Sequence, residues 1–392
     1  MIAQNNSSWD GKEPMVKRAF AMGASAAAAL LVLLPGGTAQ AQDEASSATP
    51  YKITAVAEGL DHPWNLTFMP DGSILVVQLP GQIRVLRDGV MAPEPIAGVP
   101  EVFFKSQGGL FEVLPDPDFS ENGYVYLSYA HGTPGENGTR VARARFDGQS
   151  LSDLEVIFEA TPKKDTPVHY GGVMSFLPDG TLLVAVGDGF DYREQAQRLD
   201  NDLGKIVRIN RDGSIPDDNP FAGQEGARPE IWSYGHRNIQ GLIYDDVSGR
   251  VIEHEHGPRG GDEINIIEPG KNYGWPVITW GMDYSGARVS PYTEYEGMEQ
   301  PLLHWTPSIA PCGFTLYRGA VFPQWEGDIF VGALAGQHVR RVDMENGEVV
   351  AQEELFANLG KRIRDVATGP DGYLYLVTDG EDGSVLRVAP AE

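Results

Sequence analysis

One cysteine, Cys312, is all that this 392-residue chain contains. It excludes an internal disulfide framework and a cysteine-built zinc site. Cations are also scarce: 30 Lys and Arg stand against 55 Asp and Glu, a formal charge of −25. No Lys/Arg cluster interrupts the body of the chain, so nucleic acid and anionic membranes are excluded as partners gripped by counter-ion release. The nucleotide signatures are missing. There is no Gly-x-x-x-x-Gly-Lys-Ser/Thr loop and no Gly-x-Gly-x-x-Gly between strand and helix, so NAD and ATP have no visible cradle. A Gly-x-Ser-x-Gly elbow is absent as well. Long helical patterns are nearly absent, the best short candidate being Tyr192 to Leu199. At 41% hydrophobic the chain can bury a core, which excludes bulk disorder.

What is present begins with a targeting segment. Lys17 and Arg18 precede an apolar stretch from Ala24 to Leu34, then Pro35-Gly36-Gly37, then the small-x-small sequence Ala39-Gln40-Ala41. Residues 1–41 read as a secretory signal peptide, with Met15 an alternative start, and 42–50 as a flexible leader. The apolar stretch is too short for a stable membrane-spanning helix, and no later segment is long and apolar enough. An N-terminal anchor is the competing reading. Lys12, Lys17 and Arg18 against Asp10 and Glu13 give residues 1–41 a net +1, leaving −26 on an exported, acidic chain.

The body repeats a turn followed by a strand. Pro70-Asp71-Gly72 runs into Ile74-Leu75-Val76-Val77, Pro178-Asp179-Gly180 into Leu182-Leu183-Val184, and Pro370-Asp371-Gly372 into Tyr373-Leu374-Tyr375. Proline presets φ, aspartate bonds its own backbone, and glycine accepts positive φ. β-branched and aromatic runs follow, as in buried strands. Weaker copies occur near Asp118, Ser248-Gly249 and Glu326-Gly327. Six units predict an all-β fold, a six-bladed β-propeller of four-stranded antiparallel blades over 51–392. A β-sandwich or a pair of barrels is the competing architecture.

Polar groups cluster where loops meet strand ends, the places where rigid folds carry sites. His169, in Val168-His169-Tyr170-Gly171-Gly172, is a candidate general base. Asp188, ending the same blade segment, could orient it. Taken singly, each also reads as a surface histidine and a turn aspartate. Tyr234-Gly235-His236-Arg237-Asn238 offers Arg237 and Asn238 to a ligand rich in oxygens. Arg362 and Arg364 are two apart, so on a strand they share a face and suit an anion with several carboxylates or a phosphate; ion pairs with surface acids compete. In His254-Glu255-His256-Gly257-Pro258 and Asp262-Glu263, carbonyls and carboxylates suit a hard cation such as calcium better than zinc. Cys312 reads as a packed thiol.

These segments resemble the soluble quinoprotein sugar dehydrogenases, the aldose sugar dehydrogenases and soluble glucose dehydrogenases that use pyrroloquinoline quinone (PQQ). The resemblance is carried in family order by Gly59-Leu60-Asp61-His62-Pro63-Trp64, Gln107-Gly108-Gly109-Leu110, His169-Tyr170-Gly171-Gly172, Gly187-Asp188, Gly235-His236-Arg237-Asn238, Gly257-Pro258, Asp262-Glu263-Ile264-Asn265, Asn272-Tyr273-Gly274-Trp275-Pro276 and Arg362-Ile363-Arg364-Asp365. It implies His169 as the base for the anomeric hydroxyl, Asp188 as its orienter, and hydride transfer to the quinone. It implies that Gln107, Arg237, Asn238, Arg362 and Arg364 contact sugar or quinone, with Arg237 stabilising developing negative charge. Carbonyls of Gly257 and Pro258 would hold a calcium at the cofactor, and Glu263 with the Tyr273 carbonyl a second, structural calcium. The chain departs from the pattern at Val173, where arginine is frequent, at Leu114-Pro115-Asp116, and at Arg318, which stands where glucose dehydrogenases place a cofactor-contacting lysine. The pattern is closer to the aldose sugar dehydrogenases than to the glucose-specific branch.

The resemblance implies an aldose substrate, and the signal peptide implies a periplasmic or secreted location. Its electron acceptor is open between a periplasmic cytochrome and a quinone, and the acidic surface suits a basic partner. Two other functions remain open on the residues alone: a calcium-dependent lactonase on the same kind of propeller, and a non-catalytic propeller binding carbohydrate or protein.

Overall fold

The computed structural model describes residues 50–391. The expected signal peptide, and all but the last residue of the expected leader, lie outside the described residues. Six four-stranded antiparallel sheets account for the described strands. Blade 1 comprises Pro63–Phe68, Ile74–Gln78, Gln82–Arg87 and Val90–Met91; blade 2 comprises Leu110–Pro115, Tyr124–Thr133, Glu136–Phe146 and Leu151–Glu159. Blade 3 comprises Gly171–Phe176, Leu182–Val186, Lys205–Ile209 and Ile231–Tyr234; blade 4 comprises Ile239–Asp245, Arg250–Glu255, Asp262–Ile267 and Leu303–Trp305. Blade 5 comprises Pro311–Leu316, Ile329–Ala333, His338–Glu345 and Glu348–Leu355. Blade 6 takes Ile363–Thr368, Leu374–Thr378 and Gly383–Pro390 from the C-terminal part and Tyr51–Leu60 from the N-terminal part. The first strands of successive blades touch in turn, and that of blade 6 touches that of blade 1. The fold is therefore a six-bladed β-propeller, and pairing of Tyr51 with Pro390 through Leu60 with Gly383 closes the ring.

The repeated turns explain the regularity. Each of the six joins the first strand of a blade to the second. In blade 3, Asp179 Oδ1 accepts from Thr181 N–H at 2.9 Å and from its hydroxyl at 2.7 Å. Gly180 beside it has φ +81°, a conformation that a side chain would strain. Asp71 makes the same bonds to Ser73 in blade 1. The second strands Ile74–Gln78, Leu182–Val186, Ile329–Ala333 and Leu374–Thr378 are buried along their whole length. They read as continuous apolar runs because sheets pack on both of their faces. The short helical candidate is a 3-10 turn, Arg193–Gln197. Among the described residues no helix is long and apolar enough to cross a membrane.

The first strands all begin at one end of the ring. Every one of them carries a register shift near that beginning, for example between Gly171 and Met174 or between Ile363 and Asp365. Such bulges re-aim side chains and are frequent beside active sites.

Candidate active site

The bulged end of the ring gathers most of the expected site residues. His169 precedes the first strand of blade 3 in a left-handed conformation, φ +53°, which non-glycine residues adopt rarely. Its backbone N–H donates to Gln107 Oε1 at 2.8 Å, from the loop before blade 2. Its imidazole Nδ1 lies 2.7 Å from Asp188 Oδ1. Asp188 follows the second strand of blade 3, and its N–H donates to the Arg237 carbonyl at 2.8 Å. Gly187 permits this approach, because a Cβ there would sit 2.3 Å from the His169 carbonyl oxygen. Asp188 Oδ1 also accepts from Phe190 N–H, and Oδ2 accepts from the Trp275 indole at 2.7 Å.

Both members of the pair are buried, His169 at 4% and Asp188 at 0% exposure. Burial lowers the imidazole pKa below its ordinary value, opposed by Asp188. For Asp188, burial acts to raise the pKa, but the charge and hydrogen bond of His169, with help from Arg237, outweigh it and leave the pKa lowered. The aspartate is thus ionised and accepts from Nδ1–H, which leaves the lone pair on Nε2. The Phe190 ring meets the imidazole edge-on at 5.1 Å and stacks on Tyr284.

Arg237 is held from two sides. Its guanidinium donates to the carbonyls of His256 and Gly257 at 2.9 and 2.7 Å and lies 5.2 Å from the Trp275 ring centre. Asn238, buried, accepts weakly from Gly171 N–H at 3.4 Å. Arg237, Pro258, Trp275, Phe190 and Tyr284 line a cavity of about 540 Å³. A larger cavity of about 740 Å³, between Pro178, Trp232 and Tyr244, lies at the other end of the blades, away from His169.

A small internal space of about 10 Å³ lies between Arg237, Glu255, Gly257, Glu263 and Tyr273, enough for one water-sized sphere. Its chemistry fits a hard cation. Burial pushes Glu263 up to about 7, and burial and neighbouring carboxylates push Glu255 well up. Glu253 is likewise raised by burial, and its Oε2 is buried without a hydrogen-bond partner. Uncompensated buried carboxylates are costly unless paired or metal-bound. His236, Glu253 and Glu255 place one ligand atom each within 4.8 Å of one another. This carboxylate set was not apparent in the sequence, where attention falls on His254 and His256. Alternation along the strand Arg250–Glu255 sends Glu253 and Glu255 to the face opposite His254. His254 packs on Phe314, and His256 Nε2 lies 2.6 Å from the Pro311 carbonyl oxygen. The signal available was three ionisable residues, Glu253-His254-Glu255, running straight on from the apolar pair Val251-Ile252 of one strand.

Arg362 and Arg364 reach this end too, and both bond Asp379. Arg362 Nε donates at 2.8 Å, and Arg364 Nη2 at 2.9 Å. Two guanidiniums on one carboxylate leave one positive charge in excess. Arg364 Nη1 also donates to Cys312 Sγ at 3.3 Å. The thiol is buried, its pKa pushed up by burial to about 11, and it packs as expected.

Arg318 is a correction. It follows the first strand of blade 5, at the end of the ring opposite His169, and donates to both oxygens of Asp245 at 3.1 Å. Strand direction removes it from the site. Asp116 lies at that far end as well, 3.0 Å from Arg211. Val173 lies within the first strand of blade 3, partly buried.

A family model described as Glucose / Sorbosone dehydrogenase matches residues 60–387. The chain belongs to this family. A relative in Escherichia coli (strain K12), the aldose sugar dehydrogenase YliI, is 42% identical over 345 residues, covering 86% of this chain and 92% of the relative. The solved apo-form of the soluble aldose sugar dehydrogenase from Escherichia coli is 41% identical with a TM-score of 0.84, covering 87% of this chain and 100% of that one. The PQQ-bound aldose sugar dehydrogenase from Streptomyces coelicolor is 28% identical with a TM-score of 0.70, again over 87% and 100% of the two chains. The match runs from Leu60, the last residue of the closing strand, into the strand Gly383–Pro390, and so takes in strands of all six blades.

Proposed function

We propose that this chain oxidises the anomeric hydroxyl of aldose sugars to lactones, with PQQ as cofactor and calcium as its companion cation. The observation that carries the reading is the buried His169–Asp188 pair, 2.7 Å apart, beside Arg237. His169 Nε2 takes the proton of the anomeric hydroxyl. Asp188 holds the imidazole in its tautomer and stabilises the imidazolium that forms, as in hydrolytic triads. Bound PQQ supplies the acceptor for the hydride that leaves the anomeric carbon. Arg237 and Asn238 meet its oxygens, and the fixed guanidinium stabilises negative charge developing there. Arg362 and Arg364 suit its carboxylates, and Gln107 orients sugar or quinone rim. Carbonyls of Gly257 and Pro258 hold the calcium at the cofactor, and Glu263 with the Tyr273 carbonyl holds the structural one.

Residues 1–41 are read as an export signal, which puts the mature enzyme in the periplasm or outside the cell. The electron acceptor is a periplasmic cytochrome or a quinone, and the acidic surface suits a basic electron-transfer partner.

Difference absorbance titration of the apo-protein with PQQ and calcium, followed by glucose and other aldoses, tests the proposal. Saturable binding followed by bleaching to the quinol spectrum is expected. Absence of binding overturns the cofactor reading and favours a lactonase or a binding propeller. Binding without reduction by any aldose overturns the substrate reading.

A further inference from the structure

The geometry points to Trp275 as a positioning residue that sets the His169–Asp188 pair and the Arg237 guanidinium in register. The inference rests on His169 being the base of the reaction proposed above. Asp188 Oδ1 accepts from His169 Nδ1 at 2.7 Å and from Phe190 N–H at 2.8 Å. Asp188 Oδ2 accepts from Trp275 Nε1 at 2.7 Å. A carboxylate bonded through one oxygen turns readily, because the torsion that sets its plane is broad. A donor on the second oxygen fixes that plane. The plane aims Nδ1–H, and so aims the Nε2 lone pair on the other side of the ring.

The residue that carries the indole is itself anchored through its backbone. The Trp275 backbone N–H donates to the Gly235 carbonyl at 2.9 Å, and the Trp275 backbone carbonyl accepts from Gln197 Nε2 at 2.8 Å. Gln197 is tied in turn to Asn272 by a reciprocal pair of bonds at 2.9 and 2.8 Å. The Arg237 guanidinium lies 5.2 Å from the Trp275 ring centre, within cation–π range. One side chain therefore touches both the group that orients the base and the group that meets developing charge. It also joins two blades. Trp275 comes from the segment after the third strand of blade 4, whereas His169 and Asp188 belong to blade 3.

The bond has an electrostatic effect as well. A hydrogen bond to an ionised carboxylate stabilises its charge and lowers its proton affinity. With Trp275 donating to Oδ2, Asp188 holds the imidazolium proton less tightly, which favours the neutral, basic form of His169. Trp275 touches neither sugar nor reacting atoms in this scheme and acts through Asp188 and Arg237.

Trp275→Phe tests the inference, since it removes the N–H and keeps a ring against Arg237. The expected result is a fall in kcat of about tenfold with KM for sugar within about twofold, in line with the sensitivity of catalysis to small misplacements. The acid limb of kcat/KM is expected to move to higher pH. The other charged groups acting on His169, namely Asp188, Arg237 and Lys164, are unchanged in the variant. In apo-protein labelled with nitrogen-15 at histidine and tryptophan, the His169 Nδ1–H resonance is expected to shift. An unmoved resonance together with an unmoved acid limb overturns the inference, even if kcat and KM both decline, because that pattern is loss of packing alone. Should the variant not fold, Asp188→Asn is expected to move the Trp275 indole N–H resonance, and an unmoved resonance overturns the pairing. These spectra need neither cofactor nor turnover. An inactive wild-type enzyme would therefore sink the proposed reaction while leaving the Trp275–Asp188 coupling separately tested.

Discussion

Arg364 lies over Trp64, its guanidinium carbon 3.8 Å from the centre of the indole ring system. Stacking holds the plane of the guanidinium while Asp379 takes two of its N–H groups at 3.1 and 2.9 Å. Cation–π contacts of this kind contribute up to about 2 kcal/mol when desolvated, and Arg364 is buried. The arrangement is rigid before any ligand arrives, so little ordering is left for binding to impose.

Arg364→Ala is therefore expected to weaken PQQ binding by at least about tenfold, one charge-assisted contact being worth that much or more. Arg364→Lys should fall between the two, keeping the charge and losing the stacked plane. Absorbance titration with PQQ and calcium reads the affinity. Unchanged affinity in Arg364→Ala would mean that the guanidinium serves only Asp379.

His169→Ala is expected to abolish turnover while leaving PQQ affinity nearly intact, since general-base catalysis contributes about 10²- to 10⁴-fold. The wild-type pH profile carries the sign of the burial effect. Burial lowers the His169 pKa, so the neutral base persists to lower pH than a free imidazole, whose pKa is about 6.5. The acid limb of kcat/KM should fall below that value. The same shift affects folding: the stability it reflects is complete above the unfolded-state pKa and is lost as pH falls through the folded one. An acid limb above 6.5 would show that Asp188 outweighs burial.

Calcium removal should lower thermal stability. Glu255, Glu263 and Arg237 line a space for one small particle, and with Glu253 acting on Glu255 as well the buried carboxylates outnumber that one guanidinium. A cation bound only by the folded state stabilises by about 2.7 kcal/mol at a hundred times its Kd. Chelation is expected to lower Tm, and added calcium to restore it. In Glu263→Gln the calcium-dependent part of Tm should shrink sharply. A Tm indifferent to calcium in the wild-type chain would refute a structural ion there.

Much of the ring was legible in sequence because its signal is local. Asp71, Asp179 and Asp371 each bond a backbone N–H two residues on, so each turn carries its own chemistry and the repeat could be counted. His169, Asp188, Arg237 and Arg364 were legible because each flanks or opens a strand at the same end of its blade. Arg318 failed for want of strand direction. It follows a first strand where His169 precedes one, and no local feature of Leu316-Tyr317-Arg318-Gly319 reports that difference. The bond between Trp275 and Asp188 spans 87 residues and leaves no trace in spacing. Glu253 and Glu255 were hidden by the histidines between and after them, since alternation separates the faces only once the strand is known.

Two of the first strands each carry an acid that bonds to a neighbouring blade. Glu112 lies on that of blade 2 and Asp365 on that of blade 6. Asp365 Oδ2 accepts from Leu66 N–H at 2.8 Å, tying blade 6 to blade 1, and Glu112 accepts from Met174 N–H at 2.6 Å, tying blade 2 to blade 3. Burial, with Asp365 adding to it, pushes Glu112 up to about 8, while burial pushes Asp365 up to about 7. A carboxyl whose pKa is raised by folding is protonated in the native state at pH values where the unfolded chain has released the proton. The unfolded state then binds fewer protons, so stability declines as pH rises from about 4.5 towards 8. Glu112→Gln keeps an acceptor for Met174 N–H and removes the titration. Its Tm is expected to exceed that of the wild-type chain at pH 9, with the gap closing by pH 5. Thermal unfolding across that range checks it, and a gap of constant size would show that Glu112 stays ionised in the folded ring.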